Sequence, residues 1–300
     1  MTTTFNDLIQ KTSRRLEPLG ISETVVLQSN ILAGATTIPV TDPSSLIGSI
    51  QPGKTLGIDL EVFYVQSVTG TTITVVPGWQ GSTEAPHSAN AVVFINPRFS
   101  YFDIGTAIND DLLDLSSPEN GLYQVKSVEI TFNPSIVGYD LVGVASINEI
   151  ISIRYQVPYP IGVWKPLHYG EWELTPASDP TAFPSGFALT LYRDCYPGLP
   201  FRVTYAAPFG QFVNLTDDAT NVAGLSSTMF DIPPMGAMVG LVAPREVKRN
   251  QIDSEPDSRR GPEVPPGSVM NSVAGVLRQR QARINSESAR LQQLYGSQQR

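Results

Sequence analysis

Leu56-Gly-Ile-Asp-Leu-Glu-Val-Phe-Tyr-Val-Gln-Ser-Val68, followed by Thr69-Gly70 and Thr72-Ile-Thr-Val-Val76, is the stretch that decides the fold. Val62 and Tyr64 alternate with Phe63 and Val65, the period of two that sends successive side chains to opposite faces of a strand. Thr69-Gly70 supplies the tight connection of a hairpin. Outward from it, Val25–Gln28, Thr36–Val40 and Ala91–Ile95 have the same strand character, and a glycine-rich loop runs from Gly78 to His87. Five short strands joined by tight turns predict a small β-barrel over residues 21–98.

Helical segments flank this block. From Thr4 to Leu16, Phe5, Leu8, Ile9, Thr12 and Leu16 share one face, Thr4 and Asp7 have capping-box spacing, and Pro18 and Gly20 end the run. Tyr101–Leu115 repeats Phe102, Ile108, Leu112 and Leu115 at helical spacing, with Asn109, Asp110, Asp111 and Asp114 as a polar, solvated face. Strand candidates then follow at Tyr123–Phe132, Tyr139–Val144, Ile147–Val157, Trp164–Leu167, Trp172–Thr175, Gly186–Tyr192 and Phe201–Ala206, a spacing that suggests a β-sandwich or jelly roll. Asp217–Leu225, Pro234–Arg249 and Asn271–Tyr295 read as further helices. Short helices are marginal alone in water, so each needs a partner. The expected class is therefore α+β, mainly β. A discontinuous helical bundle (1–20, 99–118, 215–250) carries two inserted β domains, a small barrel (21–98) and a sandwich or jelly roll (119–214). An extended C-terminal arm (251–300) ends in a helix.

Charge is distributed unevenly. The chain has 20 Lys/Arg against 28 Asp/Glu, a net charge of −8. Arg245–Arg300 holds ten basic and six acidic residues, so it carries +4 and residues 1–244 carry −12. The acidic body argues against a nucleic-acid-binding surface and leaves open one along which nucleic acid slides. Asp253–Ser268 is rich in Pro, Ser, Asp and Gly and can bury little, while ordering a residue costs roughly 1–2 kcal/mol, so the arm is expected to order on a partner. In its terminal helix, Val273, Val276, Leu277, Ile284, Leu291 and Tyr295 lie near one face, with Arg278, Arg280, Arg283 and Arg290 on others. Such a helix docks into a partner's groove or folds back on its own domain; the length of the preceding strap favours docking.

Catalytic chemistry is hard to find. His87 sits in the glycine-rich loop beside Glu84, and His168 follows Trp164-Lys-Pro-Leu; both read as structural. No phosphate loop or nucleophile elbow is present. Two isolated histidines and one cysteine, Cys195, do not make a zinc site, and Asp110, Asp111, Asp114, Asp217 and Asp218 do not follow a calcium-loop pattern. Cys195 is expected to be buried and inert. Glu171 and Glu173 beside Trp172, with Trp164, Tyr155, Tyr159 and Tyr169 nearby, would suit sugar binding, although a sandwich core or a solvent-facing edge explains them as well. No catalytic residue, metal or cofactor is expected. The nearest thing to a membrane span, Ile232–Pro244, is too short, and with no secretory signal the reading is a soluble, cytoplasmically made protein.

Leu60-Glu-Val-Phe-Tyr-Val-Gln-Ser-Val-Thr-Gly-Thr-Thr-Ile-Thr-Val-Val-Pro-Gly-Trp-Gln-Gly-Ser-Thr-Glu-Ala-Pro-His87 resembles a module of phage virion proteins. That module reads glutamate, valine-rich strand, turn, Thr-Val strand, then Arg-Gly-x-x-Gly-Thr-x-Ala-x-His. Here Pro77 stands at the usual Arg, and Ser82-Thr83 follows the second Gly. Phe102-Asp-Ile-Gly-Thr-Ala-Ile-Asn-Asp-Asp-Leu112, Pro234-Met-Gly-Ala-Met-Val-Gly-Leu-Val242 and Arg245-Glu-Val-Lys-Arg249 extend the likeness. They are similar to head-to-tail connector (adaptor, or neck) proteins of tailed bacteriophages, especially those of actinobacterial hosts. The resemblance implies a virion neck protein made in the host cytoplasm, with no catalytic residues. It implies a homo-oligomeric ring, usually twelve-fold, beneath the portal protein and against the next neck or tail protein. Double-stranded DNA would pass through the lumen without specific binding. It places portal contacts on the arm and the basic segment before it, at Arg245, Lys248, Arg249, Arg259, Arg260, Val273, Leu277, Arg280, Ile284, Leu291 and Tyr295. A tail-tip or baseplate protein and a carbohydrate-binding protein are the competing readings.

Overall fold

The computed structural model describes residues 2–17, 23–41, 49–144, 146–252 and 268–295, with backbone alone at 244–252 and 268–272. The chain divides into two compact units, residues 1–112 with 210–283 and residues 113–209 with 284–300. Among the described residues it is a mixed α+β chain, mostly strands, with one closed six-stranded barrel and four α-helices.

In the first unit, β1 (Thr24–Leu27), β2 (Thr37–Thr41), β3 (Thr55–Ile58), β4 (Glu61–Thr69), β5 (Thr72–Val76) and β6 (Val92–Ile95) close an antiparallel barrel in the order β1-β2-β5-β4-β3-β6. The barrel has six strands where five are expected, because the stretch 56–68 is two strands. Ile58 pairs with Glu61, leaving Asp59-Leu60 as a two-residue turn, and Asp59 takes φ 51°. Aspartate tolerates the left-handed region better than most residues because its short side chain bonds locally, a signal that the unbroken alternation of apolar residues conceals. Phe63 and Val65 face the barrel interior with Leu27, Ile38, Leu56 and Ile73.

The first helix, α1 (Phe5–Leu16), has the expected capping box. The Thr4 hydroxyl accepts from the Asp7 N–H at 3.3 Å, and the Asp7 carboxylate accepts from the Thr4 N–H at 2.8 Å. Its apolar face, Phe5, Leu8 and Ile9, is buried, and it packs against α3 (Ile232–Ile252). The second helix, α2 (Tyr101–Leu115), carries a comparable cap, with Ser100 and Asp103 exchanging bonds of 3.0 and 3.1 Å. Gly105 of α2 admits the Phe5 ring, whose Cζ lies 2.9 Å from where a Cβ would sit. That ring stacks on Phe212 at 4.5 Å.

Asp217–Leu225 is not a helix. Asp217 accepts from the N–H groups of Val213 and Asn214, each at 2.8 Å, and Asp218 from those of Thr220 and Asn221 at 2.9 and 2.8 Å. Short carboxylate side chains compete with the helical ladder for nearby amides. The segment is instead a series of turns that receives the start of α1, with the Phe5 N–H donating to the Asp217 carbonyl at 2.8 Å. Pro244 lies within α3, which continues to Ile252.

In the second unit, β7 (Gln124–Thr131), β9 (Glu149–Gln156), β10 (Trp164–Leu167) and β13 (Pro200–Ala207) form one sheet in the order β10-β9-β13-β7. A second sheet joins β8 (Gly138–Asp140), β11 (Trp172–Pro176) and β12 (Phe187–Leu191) in the order β11-β12-β8. Phe201 and Val203 of the first sheet share one core with Tyr139 and Leu189 of the second. All seven strand positions agree with the sequence reading, and β8 is the one markedly shortened. The last helix, α4 (Ser268–Tyr295), contributes Ser288, whose Oγ lies 2.8 Å from where a Cβ on Gly121 would sit. Gly121 has φ +61°, so a side chain there would be strained as well as crowded.

Candidate functional site

The most organised polar cluster lies on the barrel, where β3 turns into β4. Glu61 opens β4 and is 2% exposed. One of its oxygens, Oε1, accepts from the Gly78 N–H at 3.1 Å, and Oε2 accepts from the Ala85 N–H at 2.9 Å. Oε2 also lies 3.0 Å from His87 Nε2, and His87 Nδ1 lies 2.8 Å from Asp59 Oδ2. The turn that gives Asp59 its positive φ therefore places two carboxylates, two positions apart, on opposite nitrogens of one imidazole. The His87 backbone pairs with Ile31 through two bonds of 3.0 Å. Ser82 Oγ accepts from the Val62 N–H at 2.9 Å, and Trp79 stacks on Tyr64 at 4.7 Å. The loop 77–87 is thus latched to the barrel at both ends and in the middle.

With a carboxylate on each ring nitrogen, His87 satisfies both partners when it carries both protons. Burial alone depresses its pKa, but the hydrogen bonds and charges of Asp59 and Glu61 outweigh burial and raise it above the ordinary 6.5. The stabilisation from the latch is accordingly complete below pH 6.5 and is lost as pH rises through the raised folded value. We expect thermal stability to fall across that window in the native chain and to lose this pH dependence in His87→Gln. Calorimetric scans at stepped pH check it, and parallel curves for the two proteins would refute the latch.

Both His87 nitrogens and the Ser82 hydroxyl are engaged in holding the loop, so this cluster is arranged as a structural clasp. The sequence reading found His87 but set it beside Glu84; its partners, Asp59 and Glu61, are 28 and 26 residues away in the chain. The signal for Glu61 was present in the phage-module likeness, which opens on a glutamate and closes on a histidine. Beside the clasp lies a cleft of about 460 Å³ bounded by Phe5, Phe102, Gly105 and Phe212. Asn109 in its wall bonds the Phe212 backbone in both directions at 2.9 Å.

The arm residues fall into three groups. Arg259 and Arg260 lie outside the described residues, as do the side chains of Arg245, Lys248 and Arg249 on α3. Leu277 is 44% exposed and Tyr295 is partly buried. Val273, Arg280, Ile284 and Leu291, expected as portal contacts, are buried within the chain at 7%, 8%, 0% and 6% exposure. For Arg280 the reason is electrostatic. Asp111, expected on a solvated face, is 7% exposed, and Arg280 Nη2 lies 2.7 Å from its Oδ1. A buried carboxylate needs a counter-charge, and α4 supplies it by folding back. Arg283 adds bonds to Asp231 at 2.9 Å and to the Thr228 carbonyl at 2.6 Å.

The aromatic and acidic residues singled out for sugar chemistry do not all come together. Trp164 lies on β10 under the Arg202 guanidinium at 4.4 Å, whereas Trp172 lies on β11 in the other sheet, against the core. Glu171 pairs with Arg193 at 2.8 Å, and the Tyr192 hydroxyl donates to Glu173. The His168 N–H donates to Glu171 at 2.8 Å. Cys195 is buried, as expected, and burial pushes its thiol up to about 11, where it is not nucleophilic near neutrality. Among the described residues, no group of three or more His, Cys, Asp or Glu side chains is arranged to hold a metal ion, and no helix is long and apolar enough to cross a membrane. Compared with models of known protein families and with curated proteins, the chain matches none.

Proposed function

We propose that this chain is a structural virion protein, a head-to-tail connector that forms a ring beneath the portal, conducts DNA and joins capsid to tail. The observation that carries the reading is the convergence of helices from separated parts of the chain in one unit. α1 packs on α3, Gly236 of α3 lies against Asp111 of α2, and Asp111 is bridged by Arg280 of α4. These contacts support the discontinuous bundle expected of a connector, in which the barrel would be an insertion between α1 and α2 and the second β block one between α2 and α3. The latched loop from Glu61 to His87 supports the likeness to a phage module. The −12 body suits a channel that repels phosphate, and the arginines and lysine at 245, 248, 249, 259 and 260 suit an acidic portal surface.

With α4 anchored in its own chain, portal attachment falls to Arg245, Lys248, Arg249, Arg259 and Arg260 and to exposed α4 positions such as Leu277. Deleting residues 251–300 is therefore a poor test, since it also strips Asp111 of Arg280. The better variant reverses the five basic residues to Glu. It should stay folded by circular dichroism and fail to join portal-bearing heads in a sedimentation assay. Attachment undiminished by the reversal would remove this segment from the interface. Immunogold electron microscopy of virions, with antibody against residues 122–214, tests the wider reading. Gold at the head–tail junction is expected; gold at the tail tip would reassign the chain to the baseplate.

A further inference from the structure

We propose that the edge of the second unit around Tyr169, Glu171, Trp172, Tyr192 and Arg193 is a binding site for uncharged glycans. Tyr169 and Gly170 are the central residues of a tight turn, closed by the Glu171 N–H donating to the His168 carbonyl at 3.0 Å, with Gly170 at φ +98°. The turn holds the Tyr169 ring out into solvent at 89% exposure while its edge rests on Trp172, centroids 5.9 Å apart at 82°. One strand over, Tyr192 is 62% exposed, and its N–H donates to the Glu171 carbonyl at 2.8 Å. Two large aromatic rings set in water contribute little to the core. Exposed groupings of this kind mark binding surfaces, and tyrosine rings bind at low entropic cost because few torsions are left to freeze.

The polar groups on this edge are preorganised. Glu171 accepts from the His168 N–H and, at 2.8 Å, from Arg193, and these bonds hold its carboxyl below the ordinary range, hence ionised. Arg193 is itself steadied over the Tyr155 ring at 5.7 Å, and Glu173 accepts from the Tyr192 hydroxyl. A pyranose presents a face of C–H groups, which stacks on an aromatic ring, and an edge of hydroxyls, which needs fixed planar donors and acceptors such as carboxylate and guanidinium. Both kinds of partner occur on this edge. Arg193 neutralises Glu171, while Glu173 and Asp194 remain, so the site is net acidic and disfavours sialylated or sulfated sugars. Trp164 takes no part, because Arg202 covers its ring.

The inference rests on the second unit alone and is independent of the connector reading. The full chain is applied to a printed array of neutral, sialylated and sulfated oligosaccharides, and the strongest neutral binder is titrated by tryptophan fluorescence. Neutral glycans should bind and acidic ones should not. Tyr169→Ala should weaken binding about tenfold, the scale of one aromatic contact, with circular dichroism unchanged. Tyr159→Ala, which removes an equally exposed ring at 85% from the hairpin between β9 and β10, should leave binding intact. No binding to any neutral glycan, or equal losses from both variants, would overturn the assignment.

Discussion

Gly236→Ala should be among the most destabilising single-methyl changes this chain can suffer. A Cβ on Gly236 would lie 1.5 Å from Asp111 Oδ1 and 2.1 Å from its Cγ, so the carboxylate must leave its place. It has nowhere inexpensive to go, because it is 7% exposed and its Oδ1 is the atom that meets Arg280 Nη2 at 2.7 Å. Overpacking alone typically costs about 1–3 kcal/mol, and separating a buried ion pair about 3–5 kcal/mol. A loss of about 4 kcal/mol or more is expected, a large share of the roughly 5–15 kcal/mol of a typical domain. Urea unfolding measures it. Removing the obstacle tests the cause: Asp111→Ala with Arg280→Met should be tolerated and should absorb most of the Gly236→Ala penalty, since well-packed apolar replacement of a buried pair is often neutral. A penalty under about 1 kcal/mol in the single variant would mean that α2 and α3 are not in this contact.

This junction also shows where sequence reasoning ran out. Local signals carried far. The Thr4–Asp7 capping box, the bounds of α2 and the positions of seven strands in the second block were legible because each depends on residues a few positions apart. Asp111 was not. On α2 it sits among Asn109, Asp110 and Asp114, and periodicity alone assigns it to the same solvated face. Its burial follows from Arg280, 169 positions later, and from the missing side chain of Gly236. In the same way, Asp217 and Asp218 looked like the start of a helix because the amides that capture them are set by the turns that receive α1. The terminal helix was foreseen, but not its fate, since an amphipathic face says that a helix will be covered and leaves open what covers it. Glu61 is an intermediate case. The charge breaks an apolar run at 56–68 and is explained only by the histidine 26 residues on.

Glu61→Ala should cost almost as much as Gly236→Ala, through unmet hydrogen bonds in place of steric conflict. Its two oxygens serve three donors, the N–H groups of Gly78 and Ala85 and the His87 ring, at 2.9 to 3.1 Å. Truncation leaves those donors without their acceptor. A buried donor without an acceptor costs about 1–3 kcal/mol, so a total near 3–5 kcal/mol is expected. The loop 77–87 should also detach from β4 and become the first point of cleavage in limited proteolysis. Glu61→Gln separates charge from shape. It keeps one carbonyl acceptor but turns an amide NH2 toward the remaining donor, so about half the loss should persist. Removing that negative charge also takes away one of the two influences that raise His87, and the ring should titrate closer to 6.5 in proton NMR than it does in the native chain. An unchanged His87 titration in Glu61→Gln would mean that Asp59 alone holds the imidazole charged. The clasp would then be a surface pair resting on a residue whose side chain is half exposed, and its contribution to stability would shrink to the scale of other exposed ion pairs, about 1 kcal/mol or less.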